Sequence, residues 1–331
     1  MRFGAAFAVS VVLTGLVSPM AAAGGVVGAP ATPVATVDHV TMLTDQRAAV
    51  FVNSPAMDRV VQVQVLLPAG RDATRPTLYL LDGVGGGDES DYAESTWTLE
   101  TDAVDFFADK DVNVVLPVGG TGSYYTDWKQ SDPVLGVNRW ETFLAKELPP
   151  IIDSRFEGNG VNAVAGVSMG AAGALNLITR HPDLYAGVAS YSGCADTADT
   201  PEAQFSVRRT VGFKKGDATN MWGPDGDPAW QAHNPMRNAE ALRGKVVYSS
   251  VGTGALGAHD DLADPDLPLI IALGGSLEVG ALRCTQQFDR RLRELNIPAT
   301  FVYRPDGTHR WRYWQDDLHD SWPTLERALG R

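Results

Sequence analysis

The chain has 331 residues, 44% apolar and 20% charged, enough to bury a sizeable core and unlike a disordered or coiled-coil composition. Forty acidic residues against twenty-seven basic ones leave a formal net charge of −13, which repels phosphate backbones and argues against a nucleic-acid partner. The two cysteines, Cys194 and Cys284, are too few for a disulfide scaffold or a Cys-based zinc site, and no metal or cofactor is expected.

In chain order, the first residues read as an export signal. Arg2 supplies the positive start, residues 5–17 an apolar run, and Ala21-Ala22-Ala23 a small-residue cleavage site. Loss of 1–23 leaves 24–331, read as a single domain that is secreted or held peripherally at the cell envelope. No later segment is expected to span a bilayer. Residues 24–40, rich in Gly, Ala, Val and Pro, read as a loosely ordered lead-in. Strict alternation over 61–65 predicts a half-buried strand, and short apolar runs at 78–81, 112–118, 163–165, 188–191, 246–248 and 300–303 predict buried ones. Helical patterns fall between them at 98–108, 140–152, 169–180, 277–295 and 313–329. This alternation predicts an α/β protein with a mostly parallel central sheet and helices on both faces. Residues 196–242 carry Gly, Pro, Asp and scattered aromatics, and predict an irregular insertion that either shapes a pocket or is a plain surface loop.

Gly166-Val167-Ser168-Met169-Gly170 follows a predicted strand and opens a predicted helix. That is the context of the nucleophile elbow in the α/β-hydrolase fold, where glycines permit a turn tight enough to lift the serine hydroxyl above the sheet edge. The helix N-terminus adds free N–H groups and partial positive charge for a developing oxyanion, Met169 N–H among them. A serine needs a base. Of six histidines, His309 lies in a turn after the last predicted strand, where the order serine–acid–histidine places it. The acid must lie between Ser168 and His309. Glu278, near the start of the 277–295 helix, sits close to the carboxyl edge of the sheet. Asp289 lies about three turns further down, roughly 16 Å away, where pairing with Arg293 is its simpler role. Glu278 is therefore favoured. The glycine-rich stretch after Leu80-Leu81-Asp82, through Gly83, Val84 and Gly85, lets backbone N–H groups approach a substrate as the second half of an oxyanion hole. It is not a dinucleotide fingerprint, because Asp88 occupies the third glycine position.

Together with Tyr79–Gly83, Leu116-Pro117-Val118-Gly119-Gly120, Ser123–Trp128, Trp140–Leu144, Met221-Trp222-Gly223-Pro224, 297–300 and Gly307–Trp311, these residues resemble the secreted mycolyltransferases of mycobacteria and corynebacteria. The mycobacterial members are fibronectin-binding antigens; the corynebacterial branch is similar also in both cysteine positions and in a glutamate six residues before the second. The resemblance implies a serine acyl-enzyme that moves a mycolyl group from one trehalose ester to a second trehalose or to cell-wall arabinan, with trehalose mycolates and envelope lipids as partners. It implies Ser168, Glu278 and His309 as triad, Val84 and Met169 as oxyanion hole, and Asp82, Trp311 and Asp196 as sugar-site residues. This chain departs from the mycobacterial pattern at Gly85 and Arg310, which replace arginine and serine. The mycobacterial spacing of the triad glutamate suits Asp289 better than Glu278, so both stay in play. A secreted carboxylesterase that passes its acyl group to water is the alternative activity. An exported chain with two cysteines also predicts that Cys194 and Cys284 are bonded, tying the acid-bearing helix to the strand beside the nucleophile.

Overall fold

In a computed structural model describing Met1, residues 33–70 and residues 73–330, nine strands among the described residues pair into one sheet. The export signal read over 1–23 lies outside the described residues from Arg2 onward. The strands are β1 (Thr36–Thr44), β2 (Arg47–Ser54), β3 (Arg59–Leu66), β4 (Arg75–Leu81), β5 (Asn113–Pro117), β6 (Gly158–Val167), β7 (Tyr185–Tyr191), β8 (Val246–Val251) and β9 (Thr300–Tyr303). Their order is β1-β2-β3-β5-β4-β6-β7-β8-β9. The meander β1–β3 and the β3–β5 pair are antiparallel, and every pair from β5 to β9 is parallel. β4 has β5 on one side and β6 on the other, so the order of winding reverses there. The crevice outside the carboxyl ends of two such strands is where an open α/β sheet takes its ligand.

Alternation within the strands divides the core. Tyr79 and Leu81 join one cluster with Phe143, Leu175, Ile178 and Phe288, while Leu78 and Leu80 join the other with Trp97, Phe107, Trp314 and Leu318. Helices therefore cover both faces, as the alternating pattern predicts: the 140–155 run, Met169–Arg180 and Ser276–Glu294 on one, and Thr96–Glu100, Ala103–Phe107 and Trp311–Ala328 on the other.

Four local readings need correction. Part of the supposed lead-in is β1, whose residues are nearly all exposed, so it carries no alternating apolar signal; pairing with β2 and the stacking of His39 on Phe51 hold it. The helix predicted over 98–108 breaks at 101–102, where the Thr101 hydroxyl accepts from the Ala103 N–H and the Asp102 N–H donates to Gln315. The 196–242 segment is largely helical rather than irregular, with Pro201–Phe213, Ala218–Trp222 and Pro228–Ala232 each started by a side-chain cap, from Thr200, Asp217 and Asp227. These caps, with proline at the first position of Pro201–Phe213 and Pro228–Ala232, offset the weak periodicity of the segment. Finally, Leu267–Glu294 is a 28-residue helix long and apolar enough, by length and composition, to cross a membrane. Its leading turns are exposed, whereas Glu278, Thr285, Phe288 and Leu292 turn into the domain.

Candidate active site

The parallel register that sets Leu81 opposite Gly166 brings the ends of β4 and β6 together at the winding reversal. Ser168 leaves β6 with φ 55° and ψ −118°, a backbone conformation that strains a residue with a Cβ and occurs where the surrounding structure enforces it. The enforcement is visible. The Ser168 N–H donates to the carbonyl of Tyr191, and its carbonyl accepts from Ala171 and Ala172 at the start of the next helix. The two elbow glycines are required by contact: a Cβ on Gly166 would strike the carbonyl of Gly170, and one on Gly170 would strike the carbonyl of Asp82. A Cβ on Gly83 would stand 3.9 Å from that of Ser168, so the Gly83–Val84 turn lies against the serine.

His309 is delivered by the turn after β9. The Gly307 N–H donates to Ala255 and its carbonyl accepts from Gly254, while the His309 N–H donates to Gly274 at 3.3 Å. The Thr308 hydroxyl donates to Asp260 at 2.9 Å, and Tyr313 donates to the same carboxylate at 2.6 Å. The acidic loop of 260–264 thus clamps the histidine turn. Among the described residues no group of His, Cys, Asp and Glu is placed to hold a metal ion.

Three side chains converge. Nε2 of His309 lies 2.8 Å from Oγ of Ser168, and Nδ1 lies 2.7 Å from Oε2 of Glu278. With the proton on Nδ1, the ring donates to Glu278 and accepts from the serine hydroxyl. Trp314 packs edge-on against the ring at 4.8 Å. Glu278 is fully buried, and its other oxygen accepts from the Gly252 N–H at 2.6 Å, the Ser192 hydroxyl at 2.7 Å and Arg304 at 3.3 Å. Burial pushes this carboxyl upward, but the hydrogen bond and charge of His309, with the donors from Gly252 and Ser192, hold it below the ordinary carboxylate range. Trp314 in turn donates its indole N–H to Ser192 at 3.0 Å. Ser192, Gly252, Arg304 and Trp314 come from four separate segments, and sequence reading missed them all; only Ser192, in Ser192-Gly193-Cys194 at the end of a predicted strand, carried any positional signal.

Asp289 is not part of this group. It forms a two-pronged pair with Arg293, at 2.7 and 2.9 Å, and accepts from the Tyr303 hydroxyl at 3.0 Å. The other histidines are engaged elsewhere: His39 with Asp38, His181 and His233 around Glu141, His259 with Asp316 and His319 with Asp102.

The expected sugar-site residues divide. Trp311 is partly exposed at the start of its helix and packs edge-on against Trp97 and Trp314, each at 5.2 Å. Asp82 is fully buried, accepting from the Ser95 hydroxyl at 2.7 Å and the N–H groups of Thr96 and Trp97, so it holds the start of a helix instead of facing an open site. Burial raises its carboxyl to about 7 despite those donors. Asp196 likewise spends Oδ1 on the N–H groups of Ala198 and Asp199 and on Asn234. Both oxygens of Asp82, but only Oδ1 of Asp196, are thus engaged by their own surroundings. Arg310, beside the histidine, faces Asp260 and Asp264 at 3.6 and 3.7 Å.

A disulfide joins Cys194 to Cys284, with Cα atoms 5.0 Å apart and a sequence separation of 90. It ties the Ser276–Glu294 helix, which carries Glu278, to the loop after β7. Closing a loop of that length is worth about 4–5 kcal/mol in the chain-entropy account. Cys194→Ser with Cys284→Ser is expected to lower the melting temperature and the turnover number together, because the acid-bearing helix loses its tether. Thermal unfolding and steady-state rates check this; unchanged values for both would show that the bond does not position the acid.

Against known proteins, residues 54–325 match the Esterase family model, described as "Putative esterase". The chain is 33% identical over 290 residues to the diacylglycerol acyltransferase/mycolyltransferase Ag85A of Mycobacterium tuberculosis, covering 84% of this chain and 80% of that protein. It is also 33% identical over 290 residues to the diacylglycerol acyltransferase/mycolyltransferase Ag85B of Mycolicibacterium smegmatis, covering 85% and 84%. The fold matches that of Mycobacterium tuberculosis MPT51 (FbpC1) with a TM-score of 0.69 at 26% identity, over 84% of this chain and 97% of that one. An S-formylglutathione hydrolase from Agrobacterium tumefaciens shares the fold alone, with a TM-score of 0.59 at 13% identity over 88% and 99% of the two chains. The chain therefore belongs to the esterase family of α/β-hydrolases, among its mycolyltransferase members, and is a serine acyltransferase of that type.

Proposed function

We propose that Ser168, His309 and Glu278 form the catalytic triad of an enzyme that moves a long-chain mycolyl group between trehalose esters, or from them to cell-wall arabinan. The observation that carries this reading is the unbroken path from Ser168 through His309 to Glu278, at 2.8 and 2.7 Å, beneath a turn of β4 that abuts the serine. In the first half-reaction Oγ of Ser168 attacks the ester carbonyl and its proton passes to Nε2 of His309. The N–H groups of Val84 and Met169 stabilise the oxyanion, and His309 returns the proton to the departing sugar oxygen, leaving the acyl-enzyme. In the second, the acceptor hydroxyl gives its proton to His309 and attacks the acyl carbonyl; the new ester departs and Ser168 recovers its proton.

A long apolar acyl chain is supported by the surface next to the histidine. Leu262, Leu269, Ile271, Leu273, Leu277 and Val279 are all exposed, on a stretch whose Gly274 carbonyl accepts from the His309 N–H. Large exposed apolar patches of this kind mark binding surfaces. Trp311 is the candidate for a contact to the sugar, with Asp82 and Asp196 shaping the wall behind it. Residues 24–331 act as one domain, secreted or peripheral at the cell envelope after loss of 1–23.

Incubating the purified protein with trehalose monomycolate and resolving the lipids tests the reading. Trehalose dimycolate with release of free trehalose is the expected result. Free mycolic acid alone would make the protein a carboxylesterase, and no turnover would overturn the assignment of the substrate.

A further inference from the structure

We infer that Arg304 is a positioning residue for this triad: it fixes the oxygen of Glu278 that His309 does not use, and Asp317 holds Arg304 in place to do so. The inference rests on Ser168, His309 and Glu278 acting as proposed above. Arg304 follows β9 directly, and its N–H donates to the carbonyl of Val251 at 2.9 Å, which seats the side chain between β8 and the last helix. Its guanidinium is mostly buried and its three contacts diverge. Nη2 lies 3.3 Å from Oε1 of Glu278. Nη1 donates to Oδ2 of Asp317 at 2.6 Å and to the carbonyl of Tyr313 at 2.8 Å, and the Tyr313 ring lies 5.3 Å from the guanidinium.

This arrangement answers a question the triad poses. A buried carboxylate that must orient an imidazole needs its second oxygen fully occupied, or the carboxylate rotates. The Gly252 N–H and the Ser192 hydroxyl supply two neutral donors; Arg304 supplies a positive charge that helps to keep Glu278 ionised in a buried site. The planar fork turns one nitrogen to Glu278 and the other to Asp317 and a carbonyl, a spread that the single nitrogen of a lysine does not match. The result is a line of alternating charge behind the serine: imidazole, carboxylate, guanidinium, carboxylate. The ionisable groups that face it from the packed elements are Tyr191 on β7, Tyr248 on β8, and Tyr313, Asp317 and Asp320 on the last helix. Burial raises the Asp317 carboxyl to about 7, with Arg304 opposing the rise.

The test reads the rate at which a fluorophosphonate labels Ser168 as a function of pH, which needs the triad but no knowledge of the substrate. For Arg304→Met the labelling rate is expected to fall by about ten- to a hundredfold, with the acidic limb moved to higher pH by about one unit, because losing a cation eases protonation of the Glu278–His309 pair. Arg304→Lys should keep the limb in place with a smaller loss of rate. Asp317→Asn should leave the limb in place and lower the rate, because a carboxyl raised to about 7 is largely neutral on that limb and its loss loosens the Arg304 fork. A purely structural arginine would lower the melting temperature of all three variants while leaving the limb where it is, and that result would overturn the inference. If Arg304→Met does not fold, Arg304→Gln, which keeps a hydrogen-bond donor but not the charge, decides it by the same shift of the limb. Glu278→Gln serves as the control. If it labels like wild type, the triad reading itself fails and the role of Arg304 falls with it. If it is inert while Arg304→Met matches wild type in rate and limb, only the positioning role fails.

Discussion

Ser168→Ala is expected to abolish acyl transfer, lowering kcat by at least about ten-thousandfold while leaving the fold intact. The size follows from what is lost. The serine oxygen is the atom that carries the acyl group, so its removal leaves only binding and the oxyanion donors to act on an adventitious water. The fold should survive because alanine keeps the Cβ, and the backbone bonds from Ser168 to Tyr191, Ala171 and Ala172 do not involve the hydroxyl. Strain stored at φ 55° is also kept, so no relief of the turn should disturb the neighbouring glycines. Two measurements check this. Mass spectrometry after treatment with a serine-directed phosphonate should show a single adduct on Ser168 in the wild type and none in the variant. Circular dichroism should show matching thermal transitions. An adduct elsewhere, or turnover that persists in the alanine variant, would remove Ser168 from the mechanism.

The elbow was legible in the sequence because its chemistry is local. A strand, a glycine two residues to either side of a serine and a helix are all within one stretch of chain, and the contacts of Gly166 and Gly170 explain why no larger residue fits there. The central strands were legible for a related reason: strands covered on both faces carry continuous apolar runs, as at 78–81 of β4 and 114–117 of β5, where every residue is buried. β1 failed that test because it lies at the edge of the sheet with almost no buried face. The caps at Thr200, Asp217 and Asp227 were present in the sequence and would have marked three helices had they been weighed above the scatter of Gly and Pro.

What lies behind the triad was not legible. Ser192, Gly252, Arg304 and Asp317 meet only because β7, β8, β9 and the last helix end at one point, and no spacing along the chain encodes that meeting. Asp82 and Asp196 show the converse. A carboxylate in a loop beside a site reads as a contact for a sugar, yet both oxygens of Asp82 and Oδ1 of Asp196 accept from backbone N–H groups of their own surroundings. Burial, which decides between those roles, is a property of the assembled fold.

The choice between the two carboxylates on the Ser276–Glu294 helix gives the second large effect. Glu278→Gln is expected to lower kcat by about ten-thousandfold, as replacing the triad acid by its amide does elsewhere. The local geometry says why the amide is so harmful here. Oε1 of Glu278 is met by the Gly252 N–H and by Arg304, both obligatory donors, so the glutamine carbonyl must take that place. Its NH2 group is then turned toward Nδ1 of His309. That nitrogen must become the acceptor, the proton moves to Nε2, and the ring can no longer take the proton of Ser168. Loss of the carboxylate also leaves the imidazolium of the transition state without its counter-charge. The effect should have an acidic counterpart in the wild type. Because the Glu278 carboxyl is held below its ordinary range, the stability it contributes is complete above the unfolded carboxylate value and is lost as pH falls through the lower folded one. Asp289→Asn should change kcat by less than about twofold, since its partner Arg293 is an exposed helix neighbour and such pairs contribute at most about 1 kcal/mol. Steady-state rates of the two purified variants, each with a thermal melt to establish folding, decide the matter. A silent Glu278→Gln beside an inactive, folded Asp289→Asn would transfer the role to Asp289 and require the helix to rotate in solution away from the arrangement that brings Glu278 to His309.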